Sequence, residues 1–230
     1  MLNKTIKSGF TLAEVLLTLT IIGIIAAMTI PGLINSTQKI ENVVALKKSY
    51  STLMQATLMI TADNGGDITS ALSGVINSDD FANVFIPKLS IAKNCGTNNP
   101  TGECFPNKLY KTLNGADWGG TNFRINGWST ILTNDGMAYA FAVFNTTCTD
   151  HSSSLDPTSP IYNRCGGFYI DINGPNKGPS VMGMDLFYFW LTKTGIYPVG
   201  AYPDIQGNNC LPTGGAGCTA KVLLEGAMDY

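Results

Sequence analysis

The chain has 230 residues, 44% hydrophobic and 13% charged, with 14 basic side chains against 16 acidic ones, six cysteines and one histidine. A net charge of −2 without clustered Lys or Arg is a poor footprint for phosphate backbones and argues against a dedicated nucleic-acid binder. A single histidine, with no P-loop or dinucleotide fingerprint, leaves little material for catalysis.

The first thirty residues carry most of the information. A basic leader, Met1 to Gly9 with Lys4 and Lys7, precedes a largely apolar run from Phe10 to Ile30 that ends at Pro31-Gly32. About twenty apolar residues, each rising about 1.5 Å, cross a ~30 Å hydrocarbon core. A secretory signal peptide has its small-residue cut after a shorter apolar stretch, whereas Ser8-Gly9 come before this one. A cut at Gly9 therefore leaves the span on the mature chain. The leader lysines place the N-terminus in the cytoplasm and everything beyond Pro31 on the far side. Glu14 lies inside the apolar run, where a charge at the bilayer centre costs at least ~2.5 kcal/mol and normally has a partner.

Lys7-Ser8-Gly9, then Phe10-Thr11-Leu12-Ala13-Glu14 and the hydrophobic helix, resemble the N-terminus of type IV prepilins and pseudopilins. The resemblance is detailed over residues 8–35 and only architectural beyond. It implies that a membrane prepilin peptidase cuts between Gly9 and Phe10 and methylates the new amino terminus. Glu14 is then the fifth mature residue, the family's acidic position. Gly23 and Pro31 match as the fourteenth and twenty-second, between which the family's helix loosens in the filament; Ala13 departs from the isoleucine of many members. In a filament the apolar helices pack side by side, and the buried Glu14 carboxylate finds its cation in the amino terminus of a neighbouring Phe10. Such a pair sets register even when its net stability is small. The plainer alternative is a carboxylate snorkelling to the headgroups.

Removing the leader and its two lysines leaves 221 residues with 12 basic and 16 acidic side chains, a net of −4. Pro31 fits within a continuing helix only as a kink. Beyond it, Val43, Leu46, Tyr50, Leu53, Thr57 and Ile60 recur at spacings of three and four, with Lys47, Lys48, Ser51 and Gln55 on other faces. This is one stripe of an amphipathic helix, stopped by Asp63-Asn64-Gly65-Gly66. The expected helix runs ~80 Å, from Phe10 to about Ala62. Residues 10–30 are its membrane or filament-core half, and 31–62 its amphipathic half. The head, 63–230, has enough chain for one modest core.

Within the head, 63–128 reads as a variable region. It holds a short helix near Asp79–Val84 and a loop, Asn94 to Gly127, whose surface meets neighbouring subunits or a partner. Residues 129–199 read as an antiparallel sheet. Its strands are Ser129–Thr133, Met137–Phe144 after the turn Asn134-Asp135-Gly136, then Gly167–Ile172 and Asp185–Thr192, the last leading into Lys193-Thr194-Gly195 and Ile196-Tyr197. About four such strands under one long helix make a two-layer α+β head, which is also the head the resemblance implies. Residues 200–230 read as a disulfide-closed C-terminal region.

All six cysteines, Cys95, Cys104, Cys148, Cys165, Cys210 and Cys218, lie on the exported side, where an even count suggests disulfides. Six cysteines allow fifteen connectivities. Proximity favours Cys95–Cys104, Cys148–Cys165 and Cys210–Cys218. Their separations of 9, 17 and 8 are not those of zinc-binding pairs, and only His151 could help.

The run from Asp171 through Asn173-Gly174 to Gly183-Met184-Asp185 concentrates oxygen ligands around glycines. Calcium takes such ligands, and some major pseudopilins hold calcium in a C-terminal loop, which this chain does not match residue by residue. It also fails the EF-hand pattern, since position twelve from Asp171 is Met182. The favoured reading is a glycine-rich connection in which Asp171 and Asn173 cap turns. Calcium on Asp171, Asn173 and Asp185 is the alternative, and no other cofactor is expected.

His151 follows Asp150 and precedes three serines, but adjacent loop residues seldom supply triad geometry, so it reads as a solvated loop residue. The chain is not read as an enzyme. It reads as a subunit of a type IV pilus or type II secretion pseudopilus, held in the bacterial inner membrane with its head periplasmic or extracellular. The partners implied are copies of itself, homologous pilins, the prepilin peptidase and the inner-membrane assembly platform. The alternative is a membrane-anchored exported binding module that does not polymerise.

Overall fold

The computed structural model of the chain describes residues 9, 11–97, 102–118, 127–151, 156–201 and 210–230. It forms two compact units, Met1–Ile40 and Glu41–Tyr230. Helix α1, Leu12–Asp63, begins in the first and ends in the second, passing Gly23 and Pro31 without interruption.

In the first unit α1 is apolar on every side and exposed, from Leu12, Leu16 and Leu17 to Ile30 and Leu33. Its few hydroxyls are turned inward. Thr18 donates to Val15 O at 2.9 Å, Thr20 to Leu16 O at 2.7 Å and Thr29 to Ile25 O at 3.0 Å. Bonding back to carbonyls one turn away leaves no polar hydrogen for lipid to solvate.

The second unit is built on a six-stranded antiparallel meander. Its strands are β1 Ile91–Gly96, β2 Ser129–Thr133, β3 Ala138–Val143, β4 Arg164–Asp171, β5 Leu186–Thr192 and β6 Gly195–Pro198, each paired with the next in sequence. The sequence indicates about four. The two additional strands are the edges. β6 is a four-residue return after a tight turn. β1 falls partly in the stretch read as loop, because its inner four residues run exposed–exposed–exposed–half-buried without alternation. Two bulges break its register against β2, which erases the period-two signal.

Strict alternation elsewhere sends side chains to two different cores. Phe168 and Ile170 of β4, with Phe187, Phe189 and Leu191 of β5, join Leu46, Leu53, Ala56 and Ile60 of α1 on one face. Tyr50 of α1 stacks on Phe189 with ring centroids 5.6 Å apart. Two short helices complete this side, α2 Ile68–Ala71 and α3 Ser78–Phe85, which buries Phe81 and Phe85. Each has a side-chain cap: Asp67 accepts from Thr69 N at 2.9 Å and Asn77 from Asp80 N at 2.9 Å.

The opposite face is also covered, so the head is more than two layers. Tyr169, Tyr188, Trp128 and Leu186 pack there with Cys104, Phe105 and Tyr110; Tyr169 and Tyr188 stack at 4.0 Å. Part of the loop read as an outward surface thus folds down onto the sheet. A last helix, α4 Cys218–Glu225, lies within the C-terminal region 200–230 and ends at Gly226 in the left-handed region.

Three disulfides join Cys95 to Cys104, Cys148 to Cys165 and Cys210 to Cys218. The first ties β1 to the covering segment.

Candidate processing and assembly site

Thr11-Leu12-Ala13-Glu14 has the Ser/Thr-x-x-Glu form of a capping box, in which side chains at the first and fourth positions satisfy each other's backbone N–H groups. The structure makes both bonds. Thr11 N donates to Glu14 Oε2 at 2.8 Å, and Glu14 N donates to Thr11 Oγ1 at 3.2 Å. Thr11 Oγ1 also donates to Glu14 Oε2 at 2.8 Å. Helix α1 therefore starts two residues after the Gly9–Phe10 junction. Gly9 itself is exposed, with nothing within 4 Å of where a Cβ would stand. Phe10 and residues 1–8, including Lys4 and Lys7, lie outside the described residues.

The carboxylate is anchored at the helix start, where the positive end of the helix dipole favours it. It is the one ionisable side chain between Leu12 and Gln38. The sequence reading singles out Glu14 but overlooks Thr11, whose signal is the capping-box spacing itself. Around them Leu12, Val15, Leu16, Leu17 and Leu19 are exposed. A helix apolar all round and bare in the single chain is built to be covered by lipid or by other apolar helices.

The other candidates fall in the head. Asp171 ends β4 and Asp185 immediately precedes β5, and both are fully buried. Asp171 Oδ1 accepts from Asn173 N at 3.2 Å and Gly174 N at 2.9 Å, the capped turn. Its Oδ2 accepts from the buried Tyr110 hydroxyl. Asp185 Oδ1 accepts from Val181 N at 2.5 Å, and its Oδ2 from Ser180 N at 2.5 Å and Asn173 Nδ2 at 3.4 Å. Burial, and then the charge of Asp185, pushes the Asp171 carboxyl up to about 8. Burial also raises Asp185. Tyr110 is raised well above the usual phenol, by burial and then by Asp171.

All four carboxylate oxygens face N–H or O–H donors, and Asn173 turns its amide NH2 to Asp185. Asn173 Oδ1 and Ser180 Oγ are the buried side-chain oxygens of the cluster without a hydrogen-bond partner. No group of three or more His, Cys, Asp or Glu that could hold a metal occurs among the described residues.

His151 is exposed and stacks on Tyr162 at 5.0 Å, with Nδ1 2.9 Å from Thr149 O. Ser152 to Ser154 lie outside the described residues.

Residues 5–30 match the prokaryotic N-terminal methylation motif, the prepilin-type signature of type IV pilins and pseudopilins. No curated protein and no solved structure matches the chain. The chain thus carries the processing motif of pilin-like proteins, on a helix long and apolar enough to cross a membrane.

Proposed function

We propose that this protein is a structural subunit of a type IV pilus or type II secretion pseudopilus, with no catalytic role of its own. The observation that carries the reading is the methylation motif at residues 5–30 running directly into an exposed apolar helix whose sole early charge is Glu14. Prepilin peptidase cuts after Gly9 and methylates Phe10. Until then the chain is stored in the inner membrane, N-terminus in the cytoplasm and head on the far side, as the leader lysines favour.

The membrane-spanning half of α1 then moves from lipid into a bundle of like helices. Lipid and bundle are equally apolar, so the move has little hydrophobic cost. Glu14 gives it direction: a carboxylate already held by Thr11 at one helix start meets the new amine of a neighbouring Phe10 and fixes axial register. Gly23 and Pro31 supply the places where the helix loosens as it enters the filament.

The experiment is mass spectrometry of sheared surface filaments and of the remaining membranes, quantifying this protein and reading its N-terminal peptide. Abundant chain beginning at methylated Phe10 in the sheared fraction identifies a major pilin, and trace amounts a minor one. Processed chain confined to membranes identifies a pseudopilin. Chain that still carries Met1 to Gly9 overturns the filament reading in favour of a membrane-anchored exported binding module.

A further inference from the structure

We propose that Thr11 is a positioning residue for processing: by capping α1 it fixes where the helix begins and keeps the Gly9–Phe10 peptide bond outside it, in the open form a peptidase takes. The role presupposes cleavage after Gly9, as proposed for the chain above.

Thr11 meets each requirement of an N-terminal cap. Its carbonyl accepts the first bond of the helix, from Val15 N at 3.2 Å. Its Oγ1 accepts from Glu14 N at 3.2 Å, the third N–H of the helix. Glu14 closes the box from the other side, where Oε2 takes the Thr11 N–H and the Thr11 hydroxyl hydrogen, each at 2.8 Å. With that hydrogen committed to the carboxylate, Thr11 Oγ1 keeps a lone pair turned to Glu14 N. Gly9 and Thr11, on either side of Phe10, both lie outside α1, which begins at Leu12.

The position of this start matters because little else sets it. Phe10 extends the apolar run backwards, and Gly9 before it weakens a helix without ending it. The next residue of capping type is Ser8, and a helix begun there would enclose both Gly9 and Phe10. The Gly9 carbonyl would then be taken by the N–H four residues on, and the turns around it would shield the bond to be cut. Proteases act on exposed chain outside regular structure. Gly9 has that setting, exposed and with nothing within 4 Å of where a Cβ would stand.

The cap is separable from the charge. Thr11 Oγ1 bonds to the backbone of residue 14 and not to its side chain, so the bond survives Glu14→Ala. Cleavage therefore follows the hydroxyl at 11, while assembly follows the carboxylate at 14.

The test is cleavage of the full chain in detergent micelles by its prepilin peptidase, with kcat and KM measured separately. Backbone carbon chemical shifts of Gly9 and Phe10 are read in the same micelles. Thr11→Val keeps the shape of the side chain and removes the cap, whereas Thr11→Ser and Thr11→Asn change the shape and keep the cap. Thr11→Val should raise KM by up to about fivefold at unchanged kcat. A cap of ordinary strength moves the helix start by about that factor, and only the fraction of chain with an open junction binds. The shifts at Gly9 and Phe10 should move towards helical values in Thr11→Val and stay at wild-type values in Thr11→Ser and Thr11→Asn, which should also keep the wild-type KM. A Thr11→Val chain cut like the wild type overturns the proposal. So does a KM that rises without any change in the shifts, or that rises equally in Thr11→Ser and Thr11→Asn, because the peptidase then reads residue 11 by contact. Wild-type chain left whole by the peptidase removes this role together with the processing it presupposes, an outcome the wild type alone reveals.

Discussion

β4 carries two adjacent glycines, and they are the reason aromatic rings can close over both faces of the sheet. A Cβ on Gly166 would stand 2.4 Å from Ala142 O and 2.8 Å from Phe81 Cζ; one on Gly167, on the other face, 2.9 Å from Tyr188. Gly166→Ala is therefore an overpacking change at a place that cannot yield. Ala142 O belongs to the paired strand β3. The Phe81 ring is wedged among Phe85, Phe168 and Phe141, with centroids at 5.3, 5.7 and 6.5 Å. Overpacking of this kind reaches ~3 kcal/mol, offset by up to ~1 kcal/mol because alanine narrows the unfolded ensemble. The net destabilisation is about 2 kcal/mol, or about 4–8 °C in melting temperature for a chain of this size. The assay is near-UV circular dichroism against temperature on the full chain in micelles, where the lost signal comes from the packed aromatics. Gly214→Ala is the control, since nothing lies within 4 Å of its Cβ position, and it should melt with the wild type. A Gly166→Ala protein that also melts with the wild type refutes the claim that the two aromatic layers leave no room at this strand.

Further substitutions separate processing, assembly and head stability. Glu14→Ala should insert in the membrane and be cleaved as usual yet assemble poorly, scored as the ratio of sheared to membrane-bound chain; normal assembly removes the pairing role. Gly9→Leu should leave Met1 to Gly9 attached, visible in the N-terminal peptide. Leu53→Ala empties a fully buried position on α1 and should cost ~2–5 kcal/mol, read as a lower melting temperature with unchanged N-terminal processing. With no free thiol among the cysteines, alkylation of the native chain should add nothing, and alkylation after reduction should add six groups by mass; label taken up before reduction contradicts the three pairings.

The ends of α1 and the inner strands were legible because their signals are local. The stripe Val43, Leu46, Leu53, Thr57, Ile60 is the buried face of α1, and the helix ends at Asp63 before two glycines with positive φ. β2 to β5 read correctly because alternate residues enter chemically alike cores. β1 was not legible, since an exposed, twice-bulged edge strand has no alternation to detect. Nor was α4, although Thr219 and Val222 are buried three residues apart; the glycines and cysteines of that region dominate its pattern. Thr11 is written only in the capping spacing, three residues before Glu14.

The sequence alone determined that this chain carries a prepilin-type methylation motif and an apolar helix with one charge in it, because hydrophobic length and a single carboxylate act one residue at a time. It also determined a head of antiparallel strands, since period-two alternation survives any arrangement of neighbours. Only the tertiary structure decided what covers the outer face of the sheet and what surrounds Asp171. Those outcomes depend on segments with no periodicity, 104–118 and 210–230, held in place by disulfides and by glycines that let backbones touch, as Gly215 does where a Cβ would meet Met182 O at 2.3 Å. The meeting of Asp171 and Asp185 has the same origin. Fourteen positions separate them in sequence, and antiparallel pairing of β4 with β5 brings both into the buried ends of one connection.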